Sequence, residues 1–190
     1  FRSLVCKPTM SIRYQIDQRS PPNGRFSGAA VCSFNYDEPV EQILLAARQV
    51  PEVQFYMTGN AKFLAPELKE SLPENVTLTG FLSDSAYGSL IQDADAVMSL
   101  TTRDHTMLRA AYEAIYQGTP VIISDWGLLR EAFPQGAVHV DNSAQSIAAA
   151  IRVVQNNGQK LRQEAAQLRA KKHSDWQQTK KSILERIERK

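Results

Sequence analysis

The chain has 190 residues, of which 43% are hydrophobic and 22% are charged, values that exclude a disordered chain, a collagen repeat and a disulfide-stapled mini-protein. The length suits one compact domain with an appendage, and no apolar run approaches the roughly 20 residues needed to cross a bilayer. The net charge of +2 conceals an acidic middle between two basic ends.

These basic ends are short. Residues 1–28 carry five Lys or Arg against one acid, and residues 158–190 carry ten against four. The middle, residues 29–157, has seven basic residues against fifteen acids. Because a nucleic-acid binder concentrates basic residues on its folded face, this distribution argues against a nucleic-acid partner.

The apolar pattern of the middle alternates between the period of a strand and the period of a helix. Buried strands are predicted at 29–34, 53–58, 76–79, 96–100, 120–124 and 137–140. Helices are predicted at 40–47, 63–72, 83–91, 107–117 and 143–155. Short strands that are apolar on both faces predict an α/β fold, a Rossmann-like doubly wound parallel sheet of about six strands with helices on both faces.

The two ends of the chain lie outside this pattern. Residues 1–28 are predicted to be a linker or the remnant of a preceding domain, and the start at Phe1 indicates a piece of a longer protein. Residues 29–157 are the predicted Rossmann-like domain, and residues 158–190 are predicted to form C-terminal helices. Cys6 and Cys32 make no metal pair or disulfide framework, which favours a reducing, cytoplasmic compartment.

The densest polar loop after any predicted strand is Thr101–Ala110, which leads into a helix. In a doubly wound sheet, ligands bind beyond the carboxyl ends of the strands. Free N–H groups at the helix N-terminus, together with Arg103 and Arg109, make this loop a candidate diphosphate site. The alternative is that Asp104 or Thr106 only caps the helix.

A second candidate on the same helix is Glu113, which comes eight residues after His105. That spacing places the two residues about two turns apart on a helix. A carboxylate there can accept hydrogen bonds from sugar hydroxyls, although a mid-helix Glu is usually a solvated charge.

The sequence signatures of several other kinds of site are absent or lack the required spacing or position. His105, His139 and His173 have no ligand spacing, and Asp93-Ala-Asp95 precedes a strand, so no metal site is predicted. No dinucleotide fingerprint, Walker lysine loop or nucleophile elbow occurs. The sequon Asn75-Val-Thr77 lies in a predicted buried strand and is disregarded as a glycosylation site.

The stretch Tyr112–Asp125 resembles the donor-binding, C-terminal half of the GT-B retaining glycosyltransferases, specifically glycosyltransferase family four. The pattern of that family is an acidic residue, seven residues, Glu-Ala, a Gly-x-Pro-Val-Ile turn and a further Glu. The matching segments are Thr58-Gly59, Val76–Phe81, Ala94–Met98, Glu113-Ala114, Gly118–Ile122 and Glu131. The resemblance covers about residues 29–157.

This resemblance implies retaining transfer of a hexosyl group from a nucleotide sugar, in polysaccharide or glycolipid synthesis, with no cofactor. Glu113 would bind the ribose hydroxyls, while Gly59 and the turn of Gly80, Phe81 and Leu82 would border the base. The sugar and diphosphate would lie against Arg103, Asp104, His105, Thr106, Met107, Leu108 and Arg109. The acceptor site, and usually one catalytic side chain, would belong to an N-terminal domain that is missing here, so no catalytic residue is assigned.

Two departures from the family pattern keep other hypotheses open. His105 stands at the first acidic position, and Ser33 and Glu38 stand where the family has a phosphate clamp of Arg and Lys. Arg103 and Arg109 would have to replace that clamp. One alternative is a pseudo-glycosyltransferase that serves as a binding or scaffold module, and another is a sugar-nucleotide epimerase, which needs different catalytic acids.

The basic segment 158–190 has two interpretations. Its charge would allow peripheral contact with anionic lipid at the inner face of the membrane. Helices that brace a partner domain are the favoured interpretation.

Overall fold

The computed structural model describes residues 24–188. The predicted linker or remnant lies outside the described residues as far as residue 23, as do Arg189 and Lys190. The strands are β1 (Ser27–Ala30), β2 (Gln54–Thr58), β3 (Val76–Gly80), β4 (Ala96–Ser99), β5 (Val121–Ser124) and β6 (Ala137–Val140). The helices are α1 (Val40–Gln49), α2 (Pro66–Glu70), α3 (Asp84–Asp93), α4 (Arg109–Gln117), α5 (Gly127–Ala132) and α6 (Ala144–Glu188).

The six strands form one parallel sheet in the order β3-β2-β1-β4-β5-β6. β1 and β4 are neighbours at the centre, and the strand order reverses between them. This is the doubly wound topology that the sequence predicts, with a topological switch point at the carboxyl ends of β1 and β4.

Successive strand residues supply two cores, one on each face of the sheet. Ile122 packs in the core covered by α1 and the first part of α6. Its neighbours Val121 and Ile123 pack in the opposite core, against α3, α4 and α5. Alternation of side chains across a strand explains why both faces are apolar and both need helices.

Most elements differ from the prediction by one or two residues at an end, and α2 covers only part of the predicted helix 63–72. β1 ends at Ala30 although the apolar run continues to Phe34, because the chain turns away from the sheet after Val31, whose N–H still bonds Met98. α4 begins at Arg109 and not at Met107. The short α5 was not predicted, since six residues carry too little periodicity to show a helix.

The predicted helix 143–155 and the predicted C-terminal helices follow one another in α6, which begins at Ala144 and consists of two helices joined by a kink at Asn157, a residue with non-helical φ and ψ. Ser143 accepts a hydrogen bond from the Ser146 N–H at 3.2 Å, as expected of the predicted cap. Before the kink α6 packs on the α1 face, and after it Ala165 and Leu168 pack on the α4 face. None of the helices described is both long enough and apolar enough for a bilayer crossing.

Candidate functional site

The loops after β1 and β4 meet at the switch point. The N–H of Thr102 donates to the carbonyl of Asp37 at 2.7 Å. The guanidinium of Arg103 lies 4.5 Å from the centre of the Tyr36 ring and hydrogen-bonds its hydroxyl. The predicted Thr101–Ala110 loop therefore lies where doubly wound sheets bind their ligands.

The start of this loop is held by the last residue of β5 and by residues that follow β5 and β6. Thr101 is buried, and its N–H donates to the hydroxyl of Ser124 at 2.8 Å. Its carbonyl accepts hydrogen bonds from Trp126 Nε1 at 3.0 Å and from Asn142 Nδ2 at 2.9 Å. Ser124 in turn donates to Asn142 Oδ1 at 2.7 Å. Four connected groups thus fix the point from which the polar loop projects.

The tip of the loop is exposed and carries His105 in a left-handed conformation, with φ of 60°. The His105 N–H donates to Asp104 Oδ1 at 2.7 Å, and the ring Nε2 lies 3.5 Å from Asp104 Oδ2. The His105 side chain is 87% exposed. The N-cap of α4 is Leu108, which offers no side-chain cap, so the alternative that Asp104 or Thr106 caps the helix is wrong.

The same boundary corrects the placement of His105 relative to Glu113. Because α4 begins at Arg109, His105 precedes the helix and the two residues are not two helical turns apart. The first N–H groups of α4 lack a side-chain cap at their N-cap position, which keeps the loop suited to an anion.

Glu113 is held by donors from two helices. Arg109 Nε lies 2.6 Å from Glu113 Oε1, and the Tyr87 hydroxyl donates to Glu113 Oε2 at 2.7 Å. Burial, then the hydrogen bond and charge of Glu113, raise the pKa of Tyr87. The hydrogen bond to Glu113 also raises the pKa of Arg109. The side chain of Glu113 is 30% exposed, so it is a paired carboxylate and not the solvated charge that is usual at mid-helix.

This carboxylate lies in the wall of a cavity of about 1040 Å³ between α3, α4 and α6. Its lining residues are Asp84, Tyr87, Gly88, Ile91, Arg109, Tyr112, Glu113, Tyr116, Gln117, Arg169, Ala170 and His173. Of the predicted site residues, the cavity brings together Arg109 and Glu113. The loop 103–108, Gly59 and the turn 80–82 lie outside its lining.

The loop after β1 contains a backbone cradle that is filled by Glu38. Both carboxylate oxygens lie 2.9 Å from the Ser33 N–H, and Oε2 also accepts from the Asn35 N–H at 3.1 Å. Phe34 between them has a φ of 61°. Successive N–H groups around a left-handed residue form the kind of concavity that binds anions. Here the protein supplies that anion itself.

The two glycines predicted to border the base, Gly59 and Gly80, lie at the carboxyl ends of β2 and β3. The Gly59 N–H donates to the carbonyl of Gly80 at 3.3 Å, which joins the ends of β2 and β3. Both residues have positive φ, 104° and 69° respectively. Phe81, directly after them, is 94% exposed, which leaves its ring face open to a planar group. Leu82 follows on the same turn, before α3.

Within residues 24–188, no group of three or more His, Cys, Asp or Glu side chains is placed to hold a metal ion. Asp95 has a packing role instead: its Oδ2 accepts from the Ser27 N–H at 2.8 Å, and its Oδ1 lies 3.8 Å from Arg162. Asp95 is therefore a packing residue.

The family model of the glycosyl transferases group 1 matches residues 22–173, a range that contains all six strands. The chain belongs to that family. Among curated proteins, none matches this group 1 glycosyltransferase chain.

Solved structures share the fold of this glycosyltransferase chain at low identity. Sucrose-phosphate synthase from Thermosynechococcus elongatus gives a TM-score of 0.65 at 20% identity, over 85% of this chain and 47% of its own. Anabaena Alr3699/HepE, solved with UDP and glucose, gives 0.67 at 20%, over 77% and 43%. The catalytic domain of the cholesterol-alpha-glucosyltransferase of Helicobacter pylori gives 0.65 at 14%, over 77% and 96%. The chain spans less than half the length of the first two.

Sequence reasoning missed several side chains of this candidate site. Tyr87 contacts Glu113 from a different helix, and Trp126 and Asn142 hold Thr101 from loops that follow other strands. No local motif marks them, because each contact joins segments that are far apart in the chain. Asn142, with a φ of 67°, is the one that carries a local signal, since Asn tolerates that conformation better than most residues.

Proposed function

We propose that this chain is the donor-binding half of a retaining GT-B glycosyltransferase of family four, which transfers a hexosyl group from a nucleotide sugar. The observation that carries the proposal is Glu113, a carboxylate held by Arg109 and Tyr87 in the wall of a large cavity. A fixed carboxylate of this kind suits a pair of vicinal hydroxyls such as those of a ribose. Polysaccharide or glycolipid synthesis is the proposed context.

In this proposal the donor extends from Glu113 towards the switch point. The ribose lies at Glu113, and the diphosphate lies at the start of α4, where uncapped N–H groups and the side chains of Arg103 and Arg109 supply positive charge. The exposed ring of Phe81 offers a stacking surface for the base, bordered by Gly59 and Gly80. The sugar lies against the loop residues Asp104, His105, Thr106, Met107 and Leu108.

The contribution of this half to catalysis is to bind and polarise the donor. Negative charge develops on the nucleoside diphosphate as the glycosidic bond breaks, and fixed N–H groups and guanidinium groups stabilise it without reorganising. The hydrogen bonds that hold Thr101 support this role, because they limit how far the N–H groups and guanidinium groups of the loop can move. The acceptor and its activating group are proposed to belong to a preceding domain.

The far end of α6 supports the proposal of a preceding domain. Beyond the last buried residue of this helix, Leu168, four large apolar side chains remain exposed: Trp176, Ile183, Leu184 and Ile187. They recur at helical spacings, as on a helix that packs along one side. We propose that this face braces the acceptor-binding domain of a cytoplasmic enzyme.

Titration calorimetry with UDP, GDP and ADP tests the proposal. We expect at least one nucleotide to bind at millimolar concentration or below, and Glu113→Ala to weaken it about tenfold or more, since hydrogen bonds to a charged group are lost. Glu41, exposed in the first turn of α1, supplies the matched control Glu41→Ala. If no nucleotide binds at millimolar concentration and Glu113→Ala changes nothing, the proposal fails.

A second candidate function, a non-catalytic binding or scaffold module, is favoured by one specific observation. Glu38 fills the amide cradle of Ser33 and Asn35 and places a negative charge at the switch point. A diphosphate near that cradle is repelled. Failure of all three nucleotides to bind, in a chain that remains folded, would favour the scaffold function.

A further inference from the structure

Of the hydrogen bonds described for the Glu113 carboxylate, the one from Tyr87 comes from a different helix. Tyr87 lies on α3, and its hydroxyl reaches across to α4 to donate to Glu113 Oε2 at 2.7 Å. Arg109, on α4 itself, contacts the other oxygen at 2.6 Å. The carboxylate is therefore gripped at both oxygens, and each donor fixes a different one.

This arrangement leaves acceptor capacity where a ligand can use it. A carboxylate has about four lone-pair positions, and Tyr87 and Arg109 occupy one on each oxygen. Glu113 remains 30% exposed in the cavity wall, and the lone-pair positions that Tyr87 and Arg109 do not use can accept from hydroxyls. Two neighbouring hydroxyls can then each meet one oxygen of a carboxylate that is already held in place.

Tyr87 is suited to act as a permanent donor. A tyrosine hydroxyl keeps its proton at neutral pH, and burial together with the neighbouring charge of Glu113 raises the pKa of Tyr87 further. Without that hydroxyl, Glu113 Oε2 loses its fixed partner and the side chain regains rotamer freedom. Freedom of this kind must be lost again when a ligand binds, which weakens binding.

We propose that Tyr87 is a positioning residue that aligns Glu113 for the two ribose hydroxyls of the donor nucleotide, and that it thereby sets the preference for ribonucleotides over 2′-deoxyribonucleotides. The inference rests on the proposed function, because it takes the ligand at Glu113 to be a nucleotide. If Tyr87 only joins α3 to α4, its loss should lower stability and leave the ratio of ribonucleotide to 2′-deoxyribonucleotide affinity unchanged.

The experiment compares ribose discrimination in four proteins. Dissociation constants for UDP, GDP and ADP and for their 2′-deoxy counterparts are measured by titration calorimetry on the unmodified chain, Tyr87→Phe, Glu113→Gln and Tyr116→Phe. Tyr116 lines the same cavity but makes no contact with Glu113 among the described hydrogen bonds, so its variant is the matched control. Thermal unfolding of each variant checks the fold.

For the unmodified chain and Tyr116→Phe we expect the ribonucleotide to bind about tenfold more tightly than the 2′-deoxy form. Tyr87→Phe removes one hydroxyl and keeps the ring, and we expect it to reduce this ratio to about threefold or less, mainly by weakening the ribonucleotide. An unchanged ratio in Tyr87→Phe, whether its overall affinity falls or not, overturns the inference.

The controls separate this outcome from a failure of the proposed function. If the unmodified chain binds no nucleotide, both proposals fall. If it binds ribo and deoxy forms equally, or if Glu113→Gln keeps full affinity, Glu113 does not read the ribose and the role of Tyr87 falls with it, while nucleotide binding itself stands. If the unmodified chain discriminates, Glu113→Gln does not, and Tyr87→Phe still does, only the positioning role of Tyr87 is wrong.

Discussion

The substitution Gly59→Ala tests how tightly the loops pack at the carboxyl ends of the strands. Gly59 has a φ of 104°, a conformation that a residue with a side chain rarely adopts. A Cβ at this position would lie inside van der Waals contact with the Cys32 carbonyl oxygen and 3.1 Å from the Phe34 ring. Cys32 is buried and its N–H donates to Thr58 Oγ1 at 3.2 Å, so its carbonyl group has little room to move.

The expected cost of Gly59→Ala follows from these two effects. Positive φ costs a residue with a Cβ roughly 1–2 kcal/mol, and overpacking against fixed neighbours adds about 1–3 kcal/mol. Gly80→Ala is the matched control, because Gly80 has a φ of 69° but no atom within 4 Å of the added Cβ. Only the first cost applies there, so Gly59→Ala should be less stable than Gly80→Ala by about 1–3 kcal/mol.

Equilibrium urea unfolding, followed by circular dichroism, measures this difference. With a slope of about 2 kcal/mol per molar urea, the two midpoints should differ by roughly 0.5–1.5 M. Equal midpoints for the two variants would refute the reasoning, because they would show that the Cys32–Phe34 loop moves aside without cost. Equal slopes are required for the comparison, since they show that both variants unfold from similarly compact states.

Three further predictions concern other parts of the chain. Asn75→Ala should lower the free energy of unfolding by about 2–3 kcal/mol, measured by urea unfolding. The reason is that buried Asn75 Nδ2 carries two N–H groups and lies 2.9, 3.1 and 2.9 Å from three backbone carbonyl oxygens. A change below about 1 kcal/mol would contradict this. Glu38→Ala should free the Ser33 and Asn35 amides and so tighten the binding of inorganic pyrophosphate several-fold, measured by calorimetry. Glu41→Ala is the control. An affinity of Glu38→Ala no higher than that of the control would show that the cradle is not a site for phosphate. If the apolar face of α6 braces a domain, the chain should not co-sediment with anionic liposomes, whereas binding that falls as salt rises would indicate a lipid surface.

Much of the fold was predictable because it depends on local patterns. Both faces of the strands are apolar, as in Val121–Ile123, and this reports directly that helices cover both sides. Ser83, Gly118 and Ser143 mark helix ends through their own chemistry, a hydroxyl that caps an N–H or a residue that tolerates left-handed backbone. Such signals need no knowledge of distant segments.

The start of helix α4 is a feature that local sequence patterns do not predict. Its apolar period extends back to Met107, but the helix begins at Arg109, because the chain before it is held at Thr101 and turns through the left-handed His105. The pattern of apolar residues does not record that anchor. For the same reason the eight residues between His105 and Glu113 gave a misleading helical spacing.

By itself, the sequence determined the class of the fold and the candidate residues in the loops after its strands, because strands, helices and the loops between them follow from the periodicity of apolar residues. Tertiary structure decided what those residues do to one another. It joined Tyr87 to Glu113 across two helices and turned Glu38 onto the backbone of its own loop. Whether a carboxylate faces a ligand or is neutralised by its neighbours depends on distances of about 3 Å between groups far apart in the chain, and only the packed structure sets those distances.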